Sequence, residues 1–109
     1  MAAAVVAMEE IMPAYLVAQV RVYDVETYKQ YAARSPAVIA AFGGRVLARG
    51  PATEVLEGPD ASVRVVIVEF PSAEAAQKFY RSPQYQALRK IRAAVAEADV
   101  LIVEGLPWQ

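Results

Sequence analysis

The sequence predicts an α+β domain in which one antiparallel sheet carries helices on a single face. Hydrophobic patterns typical of strands and helices follow in the order strand, helix, strand, strand, helix, strand. Two strand-like segments have the clearest patterns, AYLVAQVRV at 14–22 and VRVVIVEF at 63–70. A chain of 109 residues forms a single domain, because one core commonly serves about 100–150 residues.

The first strand is followed by a helix that is predicted in two pieces. Asp24 is placed to cap this helix, which covers residues 25–33 and 36–42. We expect a bend or break between the pieces, because Pro36 can begin a second segment that the preceding serine caps. The paired glycines at 43–44 then end the helix.

The next two strands are predicted to pair as an antiparallel hairpin. Residues 44–58 suit a strand that is interrupted at Gly50-Pro51. Proline cannot donate to a sheet ladder, so this strand belongs at a sheet edge or a bulge. A turn at 58–60 leads by a short connection into the strand at 63–70.

Two capping serines begin the helices of the second half. Ser72 caps one helix, and Ser82-Pro83 begins another over residues 83–97. The spacing of this last helix places Tyr85, Leu88, Ile91 and Val95 on its inner face, with Lys90, Arg92 and Glu97 facing elsewhere. Residues 99–104, DVLIVE, are predicted as the final strand.

This element order is the βαββαβ pattern of a ferredoxin-like sheet, in which both crossovers lie on the same side. The helix-free face then carries Tyr15, Val17, Gln19, Arg21, Val63, Val65, Ile67 and Glu69. Exposure to water forfeits roughly 1.5–3 kcal/mol for each large apolar side chain. We therefore expect a homodimer that packs two such faces together. The alternative is a monomer in which residues 1–12 and the Trp108 tail cover the face.

Composition limits the chemistry and the partners. The chain has no cysteine and no histidine, which excludes disulfides, thiolate nucleophiles and metal sites built on these ligands. Its formal net charge is −1, and neither sign forms a run, so we expect no nucleic-acid or membrane partner. We also expect no metal and no bound cofactor. Residues 1–12 are expected to be an N-terminal extension without signal-peptide features, 13–105 a cytoplasmic domain, and 106–109 a tail.

A ligand pocket is expected between the helices and the sheet. Its candidate residues carry phenol or guanidinium groups: Tyr28, Tyr31, Arg45, Tyr80 and Tyr85. Phenols can donate to a carbonyl or enolate oxygen, and Arg45 can hold a carboxylate in fork geometry. The alternative for each tyrosine is a core residue with a satisfied hydroxyl. For Arg45, the alternative is a surface or interface ion pair.

Glu69 is the candidate buried carboxylate, because it shares a face with branched apolar residues. Burial would raise its pKa and make it a proton carrier. The alternative is an ion pair with Arg21 or Arg49.

The chain resembles a small bacterial family, the domain of unknown function 1330, within the dimeric α/β-barrel superfamily. The resemblance is carried by PAYLVAQVRVYDVETYKQYA at 13–32, AAFGGRVLARG at 40–50 and VIVEFPSAEAAQKFYRSPQYQALR at 66–89, and it covers residues 13–105. It implies a ferredoxin-like fold and a face-to-face dimer, but no activity. Superfamily relatives include cofactor-free monooxygenases, lactone isomerases and haem enzymes. The haem enzymes use a proximal histidine, which this sequence lacks.

Two functions therefore stay open. The first is a cytoplasmic homodimer that binds or transforms a small aromatic or carbonyl metabolite without a bound cofactor. The second is a non-enzymatic dimeric binding or regulatory module. Only the first requires an enclosed cavity with converging polar groups near Tyr28 and Tyr85.

Overall fold

The structure is a computed structural model that describes residues 12–58 and 63–107. Its elements are β1 (Ala14–Val22), α1 (Val25–Ala41), β2 (Arg45–Pro51), β3 (Arg64–Phe70), α2 (Ala73–Arg81), α3 (Pro83–Val95) and β4 (Ala96–Glu104). The predicted order of strands and helices is confirmed, with the last helical region divided into α2 and α3 at Ser82. No helix in these described ranges is long and apolar enough to cross a membrane.

The four strands form one antiparallel sheet in the order β2-β3-β1-β4. Strand β1 lies between β3 and β4. The alternation of its side chains therefore indicates which residues of its neighbours lie on each face of the sheet. Leu16 pairs with Val68 and Ile102, and all three side chains point towards the helices. The ferredoxin-like α+β fold is thus the fold that the sequence predicts.

The core lies between the helices and one face of the sheet. Its most deeply buried large side chains are Val20 from β1, Val68 and Phe70 from β3, and Phe79 from α2. The rings of Phe70 and Phe79 lie 5.2 Å apart, measured between centroids. Burial of such side chains supplies most of the free energy that favours folding.

Helix α1 runs without interruption through Pro36, so of the bend or break expected between its two pieces the break is absent. Proline has no N–H to donate to the carbonyl four residues earlier, which belongs to Ala32. In the structure Nη1 of Arg49, on β2, donates to that carbonyl at 3.3 Å. The sheet therefore provides the hydrogen bond that the helix cannot make for itself.

The end of α1 agrees with the prediction from the paired glycines. Gly43 has a φ of +81°. Its N–H donates to the carbonyl of Ala40, and the N–H of Gly44 donates to that of Ile39, both at 3.0 Å. This pair of bonds is the Schellman motif, which requires a left-handed residue directly after the helix.

Two strand boundaries differ from the prediction. Strand β2 ends at Pro51, and residues 52–58 form no strand, although the N–H of Ala52 still donates to the carbonyl of Val63 at 3.2 Å. Strand β4 begins at Ala96 instead of Asp99, because Ala96 and Glu97 extend the pairing with β1.

The helix-free face has the predicted composition on β1 and β3. The register places Tyr15 opposite Glu69 and Val17 opposite Ile67. On the β4 side, Leu101 lies opposite Val17. Leu101 is 56% exposed in the isolated chain, so this face is apolar and open to solvent in a single subunit.

Candidate functional site

A cavity lies between the sheet, α1 and α3. The cavity has a volume of about 40 Å³. Its polar lining comes from α1, α3 and β2, namely Tyr28, Tyr31, Ser35, Tyr85, Arg92 and Arg49. The rest of the wall is apolar. A site of this kind suits a small, mostly apolar molecule that carries one or two polar groups.

Three tyrosines meet on one wall of the cavity. Tyr28 and Tyr31 lie three positions apart and so share a face of α1; their ring centroids are 5.5 Å apart. Tyr85 lies in the first turn of α3, where its backbone N–H donates to Oγ of Ser82 at 3.1 Å. The hydroxyls of Tyr31 and Tyr85 are 2.8 Å apart and share a hydrogen bond.

The environment of these phenols suits hydrogen-bond donation better than proton removal. Burial raises the pKa of Tyr31, and the neighbouring Tyr85 raises it further. Burial also raises the pKa of Tyr28, although the guanidinium groups of Arg64 and Arg92 oppose the change. Both phenols are therefore protonated at neutral pH and can donate to a ligand carbonyl.

Arg92 is a site residue that the sequence prediction placed outside the core. It is only 6% exposed, and its Cζ lies 5.8 Å from the centroid of the Tyr31 ring. Its buried Nε has no hydrogen-bond partner. The signal was present in the spacing, because Arg92 lies seven positions after Tyr85 and four after Leu88 on the buried face of α3.

Arg64 approaches the same cluster from β3. Its Cζ lies 5.8 Å from the centroid of the Tyr28 ring, and its buried Nε also lacks a hydrogen-bond partner. The alternation of VRVVIVEF places Arg64 on the helix side of the sheet together with Val68. Two guanidinium groups thus face two neighbouring tyrosines.

The other predicted site residues lie elsewhere. Arg45 is on the helix-free face, where its Nε forms an ion pair with Oε1 of Glu69 at 3.0 Å. The other oxygen of Glu69 accepts a hydrogen bond from Tyr15 at 3.2 Å. The predicted partners of Glu69 were Arg21 or Arg49, and the structure shows Arg45 instead. The structure does not bring Arg45 and Glu69 to the tyrosine-lined cavity.

Tyr80 lies at the border of this site. Its ring centroid is 5.3 Å from that of Tyr85, but its hydroxyl accepts a hydrogen bond from Nε of Arg89 at 3.1 Å. Tyr80 lines a second depression, between α2 and β4. In the described part of the chain, no group of three or more acidic residues could hold a metal ion.

The family is shown by a match over most of the chain. Residues 13–106 match the family model described as a domain of unknown function, DUF1330. This chain belongs to that family. No curated protein sequence matches the chain significantly.

Several solved structures share the fold of this chain. A protein of unknown function from Rhodopseudomonas palustris is 26% identical, with a TM-score of 0.74 over 95% of this chain and 90% of that protein. SnoaB, a cofactor-independent oxygenase from Streptomyces nogalater, is 14% identical, with a TM-score of 0.64 over 84% of this chain and 91% of that one. A proposed antibiotic biosynthesis monooxygenase from Nitrosomonas europaea is 14% identical, with a TM-score of 0.67 over 89% and 93% of the two chains. The DUF1330 chain therefore has the fold of the dimeric α/β-barrel superfamily.

Proposed function

We propose that this DUF1330 protein is a cytoplasmic homodimer in which each subunit binds a small aromatic or carbonyl metabolite without a bound cofactor. The ligand occupies the cavity between α1, α3 and the sheet. The observation that carries this proposal is the convergence of Tyr28, Tyr31, Tyr85 and Arg92 on one largely apolar cavity.

The chemistry of the wall supports a ligand with a polar oxygen. Aromatic rings provide flat apolar contact, and protonated phenols donate hydrogen bonds to a carbonyl. The hydroxyls of Tyr31 and Tyr85 are 2.8 Å apart, so one of them can donate to a ligand oxygen while it accepts the hydrogen bond of the other. Because their role is donation, they orient the ligand and polarise its carbonyl without acting as a general base.

The sheet supports the dimer. Val17, Ile67 and Leu101 form a row across the middle of the helix-free face. Two copies of this face packed about a two-fold axis would cover each other's apolar side chains. In the same assembly the ion pair between Arg45 and Glu69 would lie in or around the interface, so that the charges on this face are compensated.

The fold is compatible with chemistry as well as with binding. SnoaB is a cofactor-independent oxygenase, so a scaffold of this shape can support a reaction without a metal or an organic cofactor. At 14% identity the comparison concerns the fold alone, and the activity of a neighbour is an analogy for this chain.

The test is a screen of small aromatic and carbonyl metabolites by thermal shift, followed by NMR titration of the ligands found. We expect at least one to raise the melting temperature and to shift the amide signals of Tyr31 and Tyr85. Ala98→Leu should abolish binding, because Ala98 lines the cavity and a leucine would fill it. Ala94→Leu, an exposed alanine on α3, is the matched control and should bind normally. No ligand in the screen, or equal binding by Ala98→Leu, would contradict the proposal.

A second candidate function is a non-enzymatic dimeric binding or regulatory module. The small accessible volume of the cavity, about 40 Å³, favours it, because this volume holds only a few waters. In that case the tyrosines are core residues with satisfied hydroxyls. The module predicts a dimer by light scattering together with no ligand from the screen, whereas the first proposal predicts both a dimer and a ligand.

A further inference from the structure

Arg92 carries a positive charge for which the described residues that line the cavity provide no carboxylate. Within residues 12–58 and 63–107, no aspartate or glutamate lines the cavity. The ion pairs of Lys29 with Glu26, Arg45 with Glu69 and Lys78 with Glu74 all lie outside the cavity. An arginine that is 94% buried without a carboxylate partner is uncommon, because removal of a charge from water costs several kcal/mol.

The tyrosines cannot supply the missing negative charge at neutral pH. A phenol ordinarily ionises near pH 10, and burial raises the pKa of both Tyr28 and Tyr31. The ring of Tyr31 offers Arg92 a cation–π contact at 5.8 Å, which contributes a part of what a buried ion pair would. The Nε of Arg92 keeps an unused hydrogen-bond donor.

A second positive charge, on Arg64, lies close to one of the same tyrosines. Arg64 contacts the ring of Tyr28, and its Nε is also an unused buried donor. The charges of Arg64 and Arg92 both reach the phenol of Tyr28, since each lowers its pKa. The polar end of the cavity is therefore positive, next to an apolar wall of Val20, Val66 and Val100.

We propose that the cavity is a binding site for a small organic monoanion, a carboxylate whose oxygens bind the Arg92 guanidinium while its apolar part lies against the sheet. This inference deepens the proposed function, on which it rests, by naming the charge of the ligand. Arg92 is the principal recognition residue, Arg64 adds to the positive field, and one hydroxyl of the Tyr31–Tyr85 pair donates to a second ligand oxygen. Guanidinium is suited to the role because its planar fork can donate two parallel hydrogen bonds to one carboxylate.

Matched pairs of charged and neutral probes test this proposal. The protein is titrated with sodium acetate against acetamide and with sodium benzoate against benzamide, at neutral pH and constant ionic strength, with amide chemical shifts as the readout. We expect the carboxylate of at least one pair to bind about ten- to hundredfold more tightly than its amide, which is the effect of a hydrogen-bonded charge pair. The shifted signals should include those of Tyr31 and Arg92.

Variants of residues on α3 form the second part of this test. Arg92→Gln should weaken carboxylate binding much more than amide binding and so remove the preference for the carboxylate, and its melting temperature without ligand should be unchanged or higher. Lys90→Gln removes one positive charge from an exposed position on the same helix and should keep the preference. If Arg92→Gln does not fold, Arg92→Lys replaces it. That variant keeps the charge without the fork and should weaken carboxylate binding several-fold.

The outcomes separate this inference from the proposed function. Equal binding of carboxylate and amide in both pairs, or an unchanged preference in Arg92→Gln, overturns the anion site. A neutral ligand from the metabolite screen together with no bound carboxylate overturns the anion site and leaves the proposed function standing. The absence of any cavity ligand, neutral or charged, overturns both.

Discussion

The hydroxyl pair of Tyr31 and Tyr85 shows how one contact can be both structural and functional. The two oxygens lie 2.8 Å apart in a part of the molecule where the rings of α1 and α3 meet. In a single subunit without ligand the bond satisfies both hydroxyls. A ligand carbonyl in the cavity would accept from one of them without the loss of the bond between them, because a hydroxyl both donates and accepts.

The buried tyrosines predict a loss of stability in alkaline solution. The folded-state pKa of Tyr31 is raised above its unfolded value near 10, so the unfolded chain releases this proton first as the pH rises. The stabilising contribution is complete below pH 10 and is lost above it, at up to about 1.4 kcal/mol per pH unit for each such group. We expect the urea midpoint to fall between pH 9.5 and about 11. Tyr31→Phe should show a shallower fall, and a flat profile in the wild type would contradict the assignment.

Arg92 shows why a charged core residue is hard to predict from sequence. The helical spacing from Tyr85 and Leu88 placed it on the buried face, but a charge is normally evidence for exposure. What offsets its burial is the aromatic ring of Tyr31, which comes from another helix. Arg45 does not line the cavity, because it pairs directly with Glu69 of β3 and its side chain shares the helix-free face with that residue.

Among the helices and strands, α1 receives a hydrogen bond from strand β2 at the turn where Pro36 lacks its own donor. The sequence correctly indicated the beginning of the helix at Asp24, whose carboxylate accepts from the N–H of Thr27 at 3.2 Å, and its end at the glycines. The break that was one expectation at Pro36 is absent, and Arg49 donates to the carbonyl of Ala32 that the proline leaves without an N–H donor. Local sequence cannot show this, since the donor is 17 positions away.

A double-mutant cycle between Arg49 and Pro36 tests this dependence. Arg49→Met should lower the free energy of unfolding by about 1 kcal/mol, the usual net value of one hydrogen bond. In a Pro36→Ala background the loss should be smaller, because the new N–H at position 36 can bond to Ala32 itself. Urea denaturation measures all four variants. Arg34→Met, which removes an exposed arginine from the same helix, is the control, and an equal loss in both backgrounds would contradict the explanation.

At the scale of the whole molecule, the sequence was most informative where a pattern repeats. The alternation along β1 correctly predicted both faces of the sheet, because each strand neighbour must follow the same pleat. The three cavity tyrosines were also predicted from their positions on the helices. The connection after Pro51 was predicted too short, because a broken apolar run at 44–58 looks like a strand whether or not it has a pairing partner.

The proposed dimer gives a prediction at this scale. Leu101→Asp should convert the dimer to a monomer, because a carboxylate would be buried at the centre of two apposed sheets. The variant should still fold, since Leu101 is 56% exposed in one subunit. Val25→Asp alters a residue of matching exposure, 57%, at the start of α1, and should remain dimeric. Multi-angle light scattering measures the mass of each variant. A monomeric wild type would refute the dimer. It would favour the alternative in which residues 1–12 and the Trp108 tail, which lie largely outside the described residues, cover the helix-free face.

The bond from Arg49 to Ala32 also bears on the order in which the chain folds during synthesis. Until β2 has been made and has paired with β3, nothing in α1 can serve the carbonyl that Pro36 leaves without a donor. We expect a nascent chain that ends before position 49 to hold this region less firmly, because the carbonyl of Ala32 then has only water as a donor and an isolated helix of this length is marginal. Docking of the hairpin would add the Arg49 bond and so strengthen the helix at its weakest point.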